Sequence, residues 1–433
     1  MLPTSIKIIK KLRKAGFKAY WAGGCVRDIL IGRVPKDFDI VTDAKPDEIE
    51  EVLSHTIPVG KEFGVILTIQ NGHQFEVATF RSDSGYSDGR RPDAVMFTDA
   101  EEDARRRDFT INGLFYDPID DKILDFVNGQ KDLEARLIRF IGDPHERIME
   151  DHLRILRAVR FKNELNFQYS PSVFREVTEH AVLLKKVSSE RIRDELNKLI
   201  VCDKKVQAFE DLLDTDILQN IMPELAETRG VAQPHEYHKE GDVWQHTMQC
   251  LGSLTKENSL NVHWAVLLHD IGKTKSFKLK ERIRFDKHVE YSEQMARKIL
   301  NRLKFPSADI ARICWLIEHH MVMVPLTTMN VGRRRTWFLK PGFKELLEVF
   351  KSDIKGTDPQ DYKLYDEIVE LYKKDLKEMP KEPKPLLTGE EIMKILNIKP
   401  GKKIGEIKDQ LKEMQLSKEL KSKRQAKKWL QTL

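Results

Sequence analysis

The sequence predicts an α+β protein, with strands confined to roughly the first 140 residues and helices filling the rest. Three observations carry that expectation. In residues 18–43, KAYWAGGCVRDILIGRVPKDFDIVTD, an apolar stretch runs into Gly23-Gly24, and an amphipathic segment follows from Val26. Asp37-Phe38-Asp39 then leads into Ile40-Val41. In residues 59–81, ILTIQ and FEVATF flank Asn71-Gly72, the signature of a hairpin with a two-residue turn. Beyond residue 141, stretches such as ERIMEDHLRILRAVRFKNEL place apolar side chains at helical spacing.

Composition bounds the class. A chain of 433 residues has room for two to four domains, and 40% hydrophobic with 33% charged residues describes an ordinary folded protein. There is no run of about eighteen apolar residues, so no membrane-spanning helix is expected. The start, MLPTSIKIIKKLRKAGF, lacks an apolar signal core and reads as a first helix. Cys25, Cys202, Cys250 and Cys314 are scattered with no CxxC pair, which predicts neither zinc nor a disulfide framework and fits a reducing cytoplasm. The net charge of +5 is mild, but residues 401–433 hold ten Lys/Arg against four Asp/Glu. That end suits a phosphate backbone, or simply a solvated helical face.

The elements follow in order. The glycine pair lets backbone approach a phosphate, and the helix start behind it offers free N–H groups to an anion. If Asp37 and Asp39 lie on one strand they share a face, about 7 Å apart, while Phe38 turns into the core. Two such carboxylates suit Mg²⁺, which favours a few carboxylates plus substrate phosphates. PDEIEEVL reads as a helix, and Glu76 on the second hairpin strand is a candidate third carboxylate or an exposed strand residue. Residues 81–97, RSDSGYSDGRRPDAVMF, read as a mobile loop. Arg105-Arg106-Arg107 then enter an apolar helical pattern (Phe109, Ile111, Leu114, Phe115), placing guanidinium forks for a triphosphate and leaving Asp108 free to accept from a ribose hydroxyl. Asn128-Gly129 reads as a turn and Gly142-Asp143-Pro144 as a boundary.

GGCVRD, DFD, the RRD of residues 106–108 and EDHLR at 150–154 together resemble a bacterial-type (class II) tRNA nucleotidyltransferase, the CCA-adding enzyme, a relative of the bacterial poly(A) polymerases. The resemblance covers the first two hundred residues. It implies a polymerase β-like mixed-sheet nucleotidyltransferase head, then an all-α neck, body and tail. It also implies catalytic and Mg²⁺-binding roles for Asp37 and Asp39, and nucleotide binding by Gly24, Arg27, Arg107, Asp108, Asn112, Asp151, Arg154, Arg157 and Arg160. The substrates it implies are tRNA, CTP and ATP.

Asp151 and Arg154, three apart on one expected helix, would ordinarily be a surface ion pair. A carboxylate only accepts and a guanidinium only donates. Cytosine and adenine each present an amine donor beside a ring-nitrogen acceptor, whereas guanine and uracil present the reverse. One Asp and one Arg in a plane can therefore pair with C and A and reject G and U. This matches the family's EDxxR motif, in which side chains act as the template. SSERIRDELNKLI, residues 188–200, matches the next helical motif and reads as support for the nucleotide pocket.

In the body, VWQHTMQCL and HWAVLLHDIGKTKSF carry His246, His269 and Asp270, and FKSDIKGTD supplies Asp353. Contiguous His-Asp after an apolar helix resembles the HD metal-dependent phosphohydrolase motif. These four residues suit a second divalent ion (Mg²⁺, Mn²⁺, Ni²⁺ or Co²⁺) holding a water nucleophile. His288, His319 and His320 stand open as further ligands, whereas His238 and His263 read as ordinary core or surface residues. KDLKEMPKEPKPLL reads as a linker, and the segment after it as two short helices joined by Pro400-Gly401.

The expected domains are a catalytic head at 1–140, a nucleotide-selecting helical neck at 141–225, an HD body at 226–375 and a basic, tRNA-contacting tail at 376–433. Three functions compete: CCA addition to tRNA, an RNA-binding head serving an HD hydrolase, and a poly(A) polymerase. Intact carboxylates with EDHLR argue against the second. The KEFG of residues 61–64 resembles the CCA subgroup and argues against the third. The length of the 81–97 segment argues against an enzyme adding only CC, while one adding only A stays open.

Overall fold

The first 125 residues alternate short helices with strands: α1 (Leu2–Lys14), β1 (Ala19–Ala22), α2 (Gly24–Leu30), β2 (Asp39–Thr42), α3 (Pro46–Val52), β3 (Thr56–Gly60), β4 (Val65–Gln70), β5 (His73–Thr79), β6 (Arg81–Ser84), β7 (Ala94–Phe97), α4 (Ala100–Arg105), β8 (Leu114–Asp117) and β9 (Lys122–Asp125). The computed structural model describes all residues except 86–88, 90–93, 237, 280–282 and 379–382. They divide into two compact units, Met1–Pro223 and Glu224–Leu433.

In the first unit seven strands form one sheet in the order β3-β4-β5-β2-β1-β8-β9. β2 and β5 pair in parallel and the other neighbours antiparallel, so the sheet is mixed. The β4–β5 hairpin forms as expected, with Asn71 (φ 52°) and Gly72 (φ 74°) both in the left-handed region that a tight hairpin turn requires. Ala19, Ala22, Ile40 and Val77 have no exposed surface, so this sheet centre is a fixed platform for whatever its strand ends present.

Several expectations about the elements change, three of them in the first unit. Residues 81–97 are not wholly a loop, because β6 and β7 pair as a two-stranded ladder from Arg81↔Phe97 to Ser84↔Ala94. The middle of that segment, 86–88 and 90–93, lies outside the described residues. The apolar pattern after Arg107 is not helical: Thr110–Asn112 is one 3₁₀ turn, and Leu114 and Phe115 enter β8. Sheet burial overrides the helical spacing of those four side chains.

The helices that follow are α5 (Gly129–Glu134), α6 (Pro144–Glu150), α7 (Arg154–Leu165), α8 (Pro171–Glu179), α9 (Ser189–Ile200) and α10 (Lys205–Asp214). The third change lies here. ERIMEDHLRILRAVRFKNEL is two helices, not one, because Asp151 adopts extended backbone (φ −147°, ψ 103°) and ends α6. Its carboxylate accepts from the Leu153 N–H at 3.1 Å, a local bond that competes with helix continuation.

The second unit is almost entirely helical. Leu260–Leu268 carries Val262, His263, Trp264, Ala265, Val266, Leu267 and Leu268 all buried, and helices Val243–Gly252, Ser307–His319 and Phe343–Gly356 pack on it. The expected linker begins later than read, since Lys374–Glu378 completes the helix Lys363–Glu378, and 379–382 lie outside the described residues. The two expected helices form on either side of Pro400-Gly401, as Gly389–Leu396 and Lys402–Leu416, and a third, Lys423–Leu430, follows them. They share a small core of Leu387, Ile392, Ile404, Ile407, Leu411 and Leu430, so the lysines of 401–433 form the outside of a packed element.

Candidate functional site

A cleft of about 540 Å³ opens over the end of the head sheet. It is lined by Gly23, Gly24, Arg27, Asp37, Asp39, Arg81, Asp83, Arg106, Arg107, Asp108, Asn112, Asp151, Arg154, Arg157, Arg160 and Phe161. The catalytic and nucleotide-binding positions implied by the family resemblance therefore all face one space, whereas Arg105 and Glu76 are not among its lining residues. Seven arginines against five aspartates leave a surplus of positive charge, which suits an anionic substrate.

The turn from β1 into α2 brings backbone to the floor. Gly23 has φ +70°, and a Cβ there would meet the Arg107 guanidinium at 3.0 Å. A side chain at this position would be strained and would displace the arginine. Arg27, one turn into α2, is 7% exposed and donates to Asn112 at 2.7 Å and to Asp28 at 2.7 and 2.9 Å.

The Asp pair differs from the expected strand face. Only Asp39 belongs to β2; Asp37 precedes the strand in irregular backbone, and Phe38 between them is 5% exposed. Both carboxylates still reach the cleft. Burial, then Asp37, then Glu76 push the Asp39 carboxyl up to about 6, with Arg107 acting the other way. Clustered like charges of this kind fit a divalent cation, which relieves the repulsion and favours oxygen donors. Glu76 lies next to the Val77 that pairs with Ile40 in the β2–β5 register, and its side chain is exposed.

The arginine run separates by role. Arg105 points to solvent and pairs with Glu101 at 2.6 Å, so it does not line the cleft. Arg106 and Arg107 do, and both are anchored by the fully buried Asp103 at 2.7 and 3.0 Å. Burial alone would raise the Asp103 carboxyl, but the two guanidinium groups hold it below the usual carboxylate range. Asp108 is not free, as the sequence suggested. It accepts from Arg157 at 2.6 and 2.9 Å and from Asn112 at 3.1 Å. Against the upward pull of burial, these donors hold it at about 2.

The expected Asp151–Arg154 pair on one helix face does not form, because the chain breaks between them. Asp151 instead accepts both donors of Arg191 on α9, at 3.0 and 2.7 Å. Arg154 is held by the Arg147 carbonyl at 2.8 Å and by Glu150. Each side chain is thus fixed by its own partner and presented to the cleft. Arg160 pairs with Glu195, again on α9. Phe161 also lines the cleft, which the sequence reading did not anticipate. The guanidinium carbons of Arg27, Arg157 and Arg160 lie 5.1, 5.1 and 3.9 Å from its ring centroid, which gathers three cations around one aromatic ring. Arg81 and Asp83 were also missed, hidden in a segment without periodicity.

In the second unit His246, Cys250, His269 and Asp353 bring ligand atoms within 4.8 Å of one another, as do Asp270, His288 and His320. Asp270 stands between the groups, 3.8 Å from His246 Nε2, 3.4 Å from His269 Nε2 and 3.7 Å from His288 Nε2. His269 Nδ1 donates to the Val266 carbonyl at 2.8 Å, which directs its Nε2 lone pair into the cluster, and that buried nitrogen has no hydrogen-bond partner. An orphaned imidazole nitrogen facing carboxylates fits a bound cation. His238 departs from the sequence reading. Its ring centroid is 5.1 Å from that of His246, and Glu240, also missed, accepts from both rings, from His246 Nδ1 at 3.0 Å. His319 packs against Trp315 and Trp337, and His263 remains a core residue.

A mixed sheet carrying an Asp pair, a Gly-Gly turn and an arginine-lined cleft is the arrangement expected of a nucleotidyltransferase head of the poly A polymerase class. Residues 19–139 match the poly A polymerase head domain, 166–228 the probable RNA and SrmB-binding site of polymerase A, and 242–426 the HD domain.

The individual proteins the chain resembles are CCA-adding enzymes. It is 40% identical over 230 residues to the CCA-adding enzyme of Lactobacillus helveticus (strain DPC 4571), covering 53% of this chain and 57% of that one. It is 43% identical over 213 residues to that of Levilactobacillus brevis (strain ATCC 367), covering 49% and 53%. The match spans about half the length of these curated relatives. The Bacillus stearothermophilus CCA-adding enzyme in complex with CTP shares the fold, with TM-score 0.71 at 24% identity over 99% of this chain and 96% of that one. The Thermotoga maritima CCA-adding enzyme complexed with tRNA shares it with TM-score 0.59 at 18% identity, over 100% and 95%.

Proposed function

We propose that this protein adds CCA, from CTP and ATP and without a nucleic-acid template, to the 3′ end of tRNA. The observation that carries the reading is a single cleft holding the Gly-Gly turn, the Asp pair, anchored arginines and the separately fixed Asp151 and Arg154. Arg106 and Arg107, locked by Asp103, bind the triphosphate, and Gly23-Gly24 let backbone approach it. Asp37 and Asp39 hold Mg²⁺, which when bound supplies charge neutralisation at the phosphoryl oxygens. Asp151 accepts from the amine of cytosine or adenine, and Arg154 donates to the adjacent ring nitrogen. Arg191, Glu150 and the Arg147 carbonyl keep both side chains in place, so base choice rests on protein geometry. The similarity to CCA-adding enzymes and the RNA-binding segment at 166–228 support tRNA as the partner.

The test incubates pure protein with tRNA transcripts ending before CCA, after C and after CC, supplying CTP and ATP separately. CTP should extend the first two and ATP only the third. Extension of the third transcript by ATP with no extension of the first two by CTP would identify an A-adding enzyme. Open-ended A addition would identify a poly(A) polymerase, and no extension of any transcript would sink the reading.

The orphaned His269 nitrogen favours a second activity. His246, His269, Asp270 and Asp353 hold a divalent ion in the second unit, where it supplies an activated water for phosphate-ester hydrolysis.

A further inference from the structure

We propose that the neck carries a transition-metal site formed by His145, Glu176 and His180, none of which lines the cleft. His145 sits at the start of α6, one residue after Pro144, while Glu176 and His180 are one turn apart on or just beyond α8. Their ligand atoms all lie within 4.8 Å of one another. Both imidazoles turn to the same carboxylate oxygen: His145 Nδ1 is 3.6 Å and His180 Nδ1 3.5 Å from Glu176 Oε2. The two rings meet edge to face with centroids 4.8 Å apart.

Ligand separations of about 3.3 Å are what a tetrahedral ion with bonds of roughly 2.0–2.1 Å requires, so small side-chain shifts close the site. The other oxygen, Oε1, is occupied by Arg175 at 3.4 Å, which fixes the carboxylate and leaves Oε2 for the ion. His180 Nδ1 also donates to the Glu176 carbonyl at 3.0 Å, so ligation through that nitrogen exchanges this hydrogen bond for the bond to the ion. Glu176 is 9% exposed while the His145 side chain is 54% exposed. The site is therefore anchored on one side and open to solvent on the other, with room for water as a fourth ligand. Two imidazoles with one carboxylate suit Zn²⁺, Co²⁺ or Ni²⁺ rather than Mg²⁺. An ion here ties the start of α6 to α8, and α6 ends at Asp151, so occupancy stiffens the element that delivers a cleft residue.

The experiment is equilibrium dialysis of the full chain against Zn²⁺, with metal counted by elemental analysis, and Co²⁺ absorption as the second readout. His145→Ala and His180→Ala should each lose one Zn²⁺ per chain, or bind it at least ~10-fold more weakly, and lose one Co²⁺ spectral component. His269→Ala with Asp270→Ala should remove a different component and leave this one. The exposed His145 position makes its variant a fair test, and circular dichroism checks that it folds. Equal Zn²⁺ stoichiometry and affinity in the wild type and both single variants, with unchanged Co²⁺ spectra, would overturn the proposal.

Discussion

Asp39 begins a central strand with Asp37 beside it, and clustered carboxylates of this kind suit a divalent cation. Asp37→Ala and Asp39→Ala should each abolish nucleotide addition and leave tRNA affinity within a few-fold, because the cation organises the triphosphate rather than the tRNA. Activity assays paired with filter binding separate the two effects, and retained activity in both variants would remove the head from the chemistry. Base choice is a second residue-scale matter. A good bidentate contact discriminates by about 1–3 kcal/mol, so Asp151→Ala and Arg154→Ala should each reduce preference for C and A over U and G by roughly ten- to a hundredfold. Arg191→Ala tests the same geometry without touching the base, since it frees the Asp151 carboxylate. A smaller relaxation of base preference is expected, and unchanged preference in all three variants would reduce these side chains to structural ion pairs. Asp108 makes a prediction about pH. Its carboxyl lies at about 2 against an ordinary 3.8. A depressed carboxylate contributes stability that is complete above the unfolded value and is lost as pH falls toward 2. Asp108→Asn should therefore cost on the order of 2 kcal/mol near neutrality, with the gap to wild type closing below about pH 4 in denaturant titrations.

At the scale of elements, the break between α6 and α7 matters more than either helix. A continuous helix would have joined Asp151 to Arg154 and silenced both. The extended backbone at Asp151 separates them and lets α9 hold the carboxylate through Arg191 and, further along α7, Arg160 through Glu195. Phe161 is the core residue of this arrangement, 4% exposed with three guanidinium groups around its ring. Phe161→Ala should destabilise the first unit by about 3–5 kcal/mol. Phe161→Leu, which keeps most of the volume and removes the aromatic face, should fold and raise KM for nucleotide. An unaltered KM in the leucine variant would show that stacking does not position the arginines.

The whole molecule consists of two units with separate cores, each with its own cluster of titratable side chains. His269→Ala with Asp270→Ala should remove any metal-dependent phosphatase or 2′,3′-cyclic phosphodiesterase activity while CCA addition persists. Hydrolysis by neither wild type nor variant with Mg²⁺, Mn²⁺, Ni²⁺ or Co²⁺ would mark the second cluster as structural.

What the sequence determined by itself is what short spacing can encode. The Gly-Gly turn and the β4–β5 hairpin each lie within a few residues of their partners, and local backbone rules settle them; the Asp pair was legible as a pair, although Asp37 lies outside the strand that Asp39 begins. The helix leading into His269 was legible for the same reason, since an apolar stretch ends where the polar pair begins. The tertiary structure decided which side chains hold which. Arg27 meets Asn112 across 85 residues, Asp108 meets Arg157 across 49, Asp151 meets Arg191 across 40 and His246 meets Asp353 across 107. The sequence offered nearer partners in each neighbourhood, and for Asp151 the nearest, Arg154, was the wrong one. Such closures depend on how the buried faces of separate elements pack, a global energy that no local pattern contains. The same is true of Phe161 and Glu240, whose types are commonplace and whose importance arises only from what folding places around them.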